Sequence, residues 1–302
     1  MKFMAGFRRV TEYMKIDRRL EDIMLLLLLL ILLFVCQFFL RTKKGILLGF
    51  SLLLVVFSLF LINFVKDGKF EYIANAIGIN NSQNQREEEV LNEFSIVKIK
   101  GSVIIDAPLI KQYPELPRGC EVTSLAMLLQ FAGENVDKMT LANEVKKDPT
   151  PYSVSGGKVY FGNPHDGFVG DMYNLQNPGL GVFHEPIREL AEQYLPGRII
   201  DMTGSDFEKL KIPLSAEQPV WVIINTAYQK ISEDLFQTWE TPSGAVKVTS
   251  KEHSVLVTGY DDQFIYFNDP LTGIKNKTAP IQDFKEAWVQ MGSQAITILP
   301  FE

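Results

Sequence analysis

LPRGCEVTSLAMLLQFAG, residues 116–133, runs from a turn rich in Pro and Gly into an apolar helical stretch, with one cysteine, Cys120, at the junction. The helix is expected over 120–132, and Gly133 supplies its left-handed stop. A helix N-terminus presents unpaired N–H groups and partial positive charge, which favours thiolate over thiol. The placement therefore predicts a reactive Cys120. The second cysteine, Cys36, lies in a leucine-rich run, so neither a structural disulfide nor a paired-cysteine metal site is expected.

Outward from this stretch the chain changes solvent. Residues 23–40 and 46–65 carry no charge, and each is long enough at about 1.5 Å per residue to cross a hydrocarbon core of roughly 30 Å. Two transmembrane helices are expected, behind a basic tail (1–22) and ahead of a polar tether (66–98) and a folded domain (99–302). Residues beyond 65 hold 21 of the 30 Lys/Arg and 32 of the 36 Asp/Glu, a net charge of −11. Such an acidic domain has no electrostatic footprint for nucleic acid. Six basic residues in the tail favour a cytoplasmic N-terminus, whereas Arg41, Lys43 and Lys44 in the tight RTKKG loop favour holding that loop inside and the domain outside the cytoplasm. With the low cysteine count, the loop tips the expectation toward an extracytoplasmic domain.

Within the domain, SIVKIKGSVIIDAPLI reads as one or two short strands. Further helices are expected at 139–147, 186–195 and 205–211, the last with Ser205 and Glu208 as a capping box. Strands follow at 219–225, 253–260, 263–269 and 295–300, with a helix at 283–291. Helices first and antiparallel strands second make an α+β architecture.

A nucleophilic cysteine needs a base and a group to orient that base. Of three histidines, His253 opens a strand that turns at Asp261-Asp262 and returns to Asp269. A two-residue turn would set Asp269 on the opposite face from His253, so their contact requires a three-residue loop or a bulge. Asn268 points away from that face. His165-Asp166 and His184-Glu185 are adjacent pairs that do not easily face one ion, and no metal or other cofactor is expected.

GCEVTSLAMLL around Cys120, EHSVLVTGYDD around His253 and FNDPLTG around Asp269, in that order, resemble the papain-like cysteine peptidases. More narrowly they resemble the bacteriocin-processing, double-glycine-cleaving family, the thirty-ninth among cysteine peptidases, in its membrane-anchored or secreted Gram-positive branch. The resemblance spans about residues 100–300, and GNPHDGFVGDMY and GVFHEPIRELA share in it. It implies a papain-like fold with Cys120 as nucleophile, His253 as general base and acid, and Asp269 as the residue orienting the imidazole. Gln112 would join the Cys120 N–H in the oxyanion hole, although it lies eight residues upstream where six are usual. The Gly-rich segment with Gly170 and Asp171 would border an extended peptide. No G-x-x-x-x-G-K-[ST] phosphate loop occurs, so any transporter ATPase would be a separate partner. The implied function is a membrane-anchored peptidase acting on a peptide or protein. Hydrolysis of peptidoglycan peptides and a non-catalytic tethered binding module are the alternatives.

Overall fold

The computed structural model describes residues 97–300. The two apolar spans, Cys36 and nearly all of the tether lie outside the described residues. Among the described residues no helix is long and apolar enough to cross a membrane.

The described chain starts with β1 (Val103–Ile104), α1 (Cys120–Phe131), α2 (Lys138–Glu144), β2 (Lys147–Asp148), β3 (Ser153–Ser155), β4 (Lys158–Tyr160) and β5 (Phe168–Val169). It continues through α3 (His184–Tyr194), β6 (Ile199–Asp201), a 3-10 turn (Phe207–Leu210), α4 (Lys211–Ser215) and β7 (Val220–Asn225). The remaining elements are β8 (Phe236–Thr241), β9 (Gly244–Thr249), β10 (Glu252–Tyr260), β11 (Phe264–Asp269), β12 (Ile274–Pro280), α5 (Ile281–Gln290) and β13 (Ala295–Ile298).

The main sheet is antiparallel, in the order β12-β11-β10-β7-β13-β6, with β1 on the free reach of β10. Its central strand β7 is buried along its whole length, as is β10 from His253 onward. Continuous apolar runs such as VWVII fit strands covered on both faces. α1 lies against this centre with its first ten residues buried. Two cross-links fix it there: Trp221 Nε1 donates to Glu121 O at 3.0 Å, and Ser124 Oγ donates to Ser254 O at 3.1 Å. The Cys120 end of the helix is thereby set against the start of β10.

The α+β class and the main strands agree with the sequence reading, and several local expectations are corrected. Of SIVKIKGSVIIDAPLI the described part forms one short strand, Val103–Ile104, as the reading allows, paired with Tyr260 and Gly259. A Cβ at Gly259 would collide with Val103 O, so this approach requires glycine. α2 starts at Lys138 because Asp137 caps it, accepting from Thr140 N at 2.8 Å. It ends early because Lys147–Asp148 pairs in parallel with Phe168–Val169. The capping box does not form: Ser205 Oγ is buried without a partner, and the segment is a 3-10 turn running into α4.

The sequence reading also missed a second sheet, β3-β4-β8-β9. Its strands alternate Ser, Lys and Thr with single apolar residues, and it covers a small separate core of Phe161, Val169, Phe183, Trp239, Val246 and Val248.

Candidate active site

His253 and Asp269 meet because β10 carries a bulge. From the turn the ladder runs Tyr260 with Ile265 and Gly259 with Tyr266, then shifts to Val257 with Phe267 and Leu256 with Asn268. Without that shift Asp269 would face Leu256, on the opposite side from His253; with it, both side chains share a face. Thr258 is the extra residue, and its carbonyl accepts from Ile105 N at 2.7 Å.

His253 Nε2 is 2.9 Å from Asp269 Oδ1, and both side chains are buried. Leu271 N donates to the same oxygen at 2.9 Å. Tyr228 Oη, Thr272 Oγ1 and Lys277 Nζ donate to Oδ2 at 2.7, 2.6 and 2.9 Å. Burial opposes charge on Asp269, but His253 and these donors outweigh it and hold the carboxyl well below the usual range. With Nε2 engaged, the lone pair or proton on Nδ1 is the one left for chemistry. Asn268 turns the other way, its Nδ2 donating to Ala107 O and Pro108 O.

Tyr228 and Lys277 have no counterpart in the sequence reading. Tyr228 is reached through a turn built by Asn225, whose Oδ1 accepts from Ala227 N and whose Nδ2 donates to Gln229 O. It sits at φ 53°, a costly conformation for a bulky residue. Its ring lies edge-on to His253 with centroids 6.2 Å apart, and Lys277 Nζ lies 4.1 Å above it.

Cys120 occupies the first position of α1, where its N–H has no intrahelical partner. Its Sγ lies against the backbone N–H of Ser254, the peptide that follows His253. Among the described residues no hydrogen bond joins Cys120 to His253; the thiol's side-chain partner is Glu121 Oε2 at 3.3 Å.

The expected lowering of the thiol pKa is overturned here. Burial first, then the charges of Glu121 and Glu252, push it up and outweigh the Ser254 N–H. Burial raises the Glu121 carboxyl to about 7, even though its Oε1 accepts from Val182 N at 2.7 Å. Glu252 is also raised, by burial and by Glu121, and its Oε1 is enclosed without a hydrogen-bond partner. The thiol thus rests among two carboxyls, not in a positive pocket. Glu121 and Glu252 adjoin Cys120 and His253 in sequence. A Glu in the first turn of a helix reads as solvent-facing, which is why the burial of Glu121 was not foreseen.

Gln112 is buried. Its Nε2 donates to Pro117 O at 2.9 Å, its Oε1 has no partner, and its N–H donates to Pro270 O. It therefore spans the loop before Cys120 and the residue after Asp269. Gly170 has φ +82° and bridges Gly179. The Asp171 carboxylate is engaged within its own loop, accepting from Tyr173 N, Asn174 N and Asn177 Nδ2. Arg118, two residues before Cys120, clasps that loop through the carbonyls of Asp171, Asn174, Leu175 and Asn177.

Comparison with known proteins agrees with this architecture. Residues 104–296 match the model of the peptidase C39-like family. An uncharacterised Bacillus subtilis (strain 168) protein, YvpB, is 48% identical over 204 residues, covering 67% of this chain and 78% of its own. A crystal structure described as that of a candidate C39-like peptidase from Bacillus anthracis superposes with a TM-score of 0.62 at 46% identity, over 67% of this chain and all of that one. The chain thus belongs to the peptidase C39-like family.

Proposed function

We propose that this protein is a membrane-anchored cysteine peptidase in which Cys120, His253 and Asp269 cut a peptide bond through a thioester. The observation that carries the reading is the buried His253–Asp269 pair, which leaves Nδ1 uncommitted on a strand whose next N–H lies against Cys120 Sγ. The Cys120 proton passes to His253 Nδ1 as sulfur attacks the scissile carbonyl carbon. The oxyanion forms beside the Cys120 N–H, with the second Nε2 hydrogen of Gln112 as the other donor. His253 then gives the proton to the leaving amine, and water activated by His253 releases the acid product.

The loop clasped by Arg118, with Gly170 and Asp171, borders the groove for an extended substrate. Asp171 acts there by shaping the loop. Cleavage after a pair of small residues, an anchor formed by residues 23–40 and 46–65, an extracytoplasmic domain and a separate transporter partner belong to the same proposal, and rest on the resemblance and on the apolar spans.

The test is turnover of a peptide library by the full chain in detergent. Cys120→Ala is expected to abolish cleavage with little change in Tm, and Cys36→Ala to leave cleavage intact. Unchanged turnover in Cys120→Ala would remove the mechanism, and no turnover by the native chain on any peptide would leave a binding module.

A further inference from the structure

His165, His184 and Glu185 converge although the sequence offers them only as separate adjacent pairs. His165 comes from the loop before β5, and His184 and Glu185 open α3. Phe183 N donates to Pro164 O at 2.9 Å and ties the two segments together. His165 Nδ1 lies 2.8 and 2.9 Å from the two Glu185 oxygens, and His184 Nε2 lies 3.2 Å from Glu185 Oε1. Ligand atoms of the three residues all fall within 4.8 Å of one another. Three donors bound to one tetrahedral ion at about 2.0–2.2 Å sit roughly 3.3–3.5 Å apart, so the backbone already holds them near coordinating separation.

We propose that His165, His184 and Glu185 form a binding site for a divalent ion of the zinc class. Two imidazoles and a carboxylate suit such an ion, whereas calcium and magnesium prefer oxygen ligands alone. Asp201 at the end of β6 completes the arrangement: His184 Nδ1 donates to its Oδ2 at 2.7 Å, which fixes the tautomer and turns Nε2 toward the ion. The His165 ring is steadied edge-on against Phe183, with centroids 4.7 Å apart.

The ion takes the place of the protons that now bridge Glu185 to the two rings. His184, which keeps its Nδ1 proton on Asp201, gives up the Nε2 proton to solvent, and His165 coordinates through Nδ1 with its one proton on Nε2. The start of α3 opposes a cation, and Arg188 Nε lies 3.9 Å from Asp201. Against this, two carboxylates facing two neutral imidazoles offset the ion's charge. Side-chain exposures of 42% for His165 and 36% for Glu185 leave an entry path and a fourth position for water. The clamp reaches toward Cys120, because Gly181 and Val182, just before His184, lie against the Glu121 carboxylate. Filling the site would therefore stiffen one wall of the thiol pocket.

The test titrates Zn2+ by calorimetry, and Co2+ by visible absorption, into chelator-treated full-length chain in detergent. A parallel Cys120→Ser sample excludes binding through the thiol. One ion per chain is expected, with a tetrahedral Co2+ band that persists in Cys120→Ser. His165→Ala, a change at an exposed side chain, is expected to abolish the band, and Asp201→Asn to weaken binding about 10–100-fold. Glu185→Gln, which keeps the size of the side chain, is expected to lose the band as well. Binding unchanged in His165→Ala or in Glu185→Gln, a band lost only in Cys120→Ser, or no stoichiometric ion would each overturn the site.

Discussion

Among the described residues the Asp269 carboxylate accepts five hydrogen bonds, and only one comes from the imidazole. The other four keep the carboxylate ionised and immobile, so that His253 is held in one tautomer. Hydrogen bonds to charged groups contribute about 1.5–3 kcal/mol, shared here among several donors. Tyr228→Phe is therefore expected to lower kcat about tenfold with KM unchanged, and to add nothing once Asp269 is already Asn. Additive losses would place Tyr228 outside this unit.

Glu121 works in the opposite sense. Its folded pKa of about 7 exceeds the ordinary 4.5, so between these values the native state holds a proton that the unfolded chain has released. Its contribution is fully present below about pH 4.5 and is lost as pH rises through about 7. As it ionises it also disfavours the Cys120 thiolate. Glu121→Gln is expected to alkylate faster than the native chain at pH 8 and to lose that downward slope of Tm with pH. A variant no faster than the native chain would assign the raised thiol to burial and Glu252 without Glu121.

At the scale of elements, the segment at Gly181 and Val182 lines the acid pair. A Cβ at Gly181 would run into Glu121 Oε1 and crowd Glu252 Oε2. Gly181→Ala is expected to cost about 1–3 kcal/mol, read as a lower Tm, and to reduce turnover by displacing Glu121 against the thiol. Native Tm in that variant would show the pocket to be compliant.

The elements that carry Cys120, His253 and Asp269 were the most readable in the sequence, because continuous apolar strands and a helix opened by Gly-Cys leave few alternatives. Register supplied the sharpest inference: parity alone demanded a longer turn or a bulge before His253 and Asp269 could share a face, and the shift at Val257 and Gly259 provides it. The second sheet was unreadable, since its hairpins are polar and close over a core assembled from four separated segments. Tyr228 was equally hidden. It lies outside any strand, and it reaches Asp269 only through the turn that Asn225 builds.

For the molecule as a whole, the proposed anchor makes charge near the apolar spans bear on which side of a bilayer the domain would lie. The compact RTKKG loop and the six basic residues of the tail pull in opposite directions. With the loop dominant, protease added to intact protoplasts is expected to remove the chain from residue 66 onward. Full protection until lysis would place the domain in the cytoplasm.

The acid-flanked thiol bears on durability. Thiolates, not neutral buried thiols, attack peroxide and disulfides. The Cys120 thiol, its pKa pushed up by burial, Glu121 and Glu252, therefore presents less oxidisable thiolate at rest than an ordinary cysteine. Outside a reducing compartment, where nothing rescues an over-oxidised cysteine, the same carboxyls that slow the resting thiol would lengthen its working life. Reactivity would then emerge only when a substrate enters and the proton has His253 to receive it.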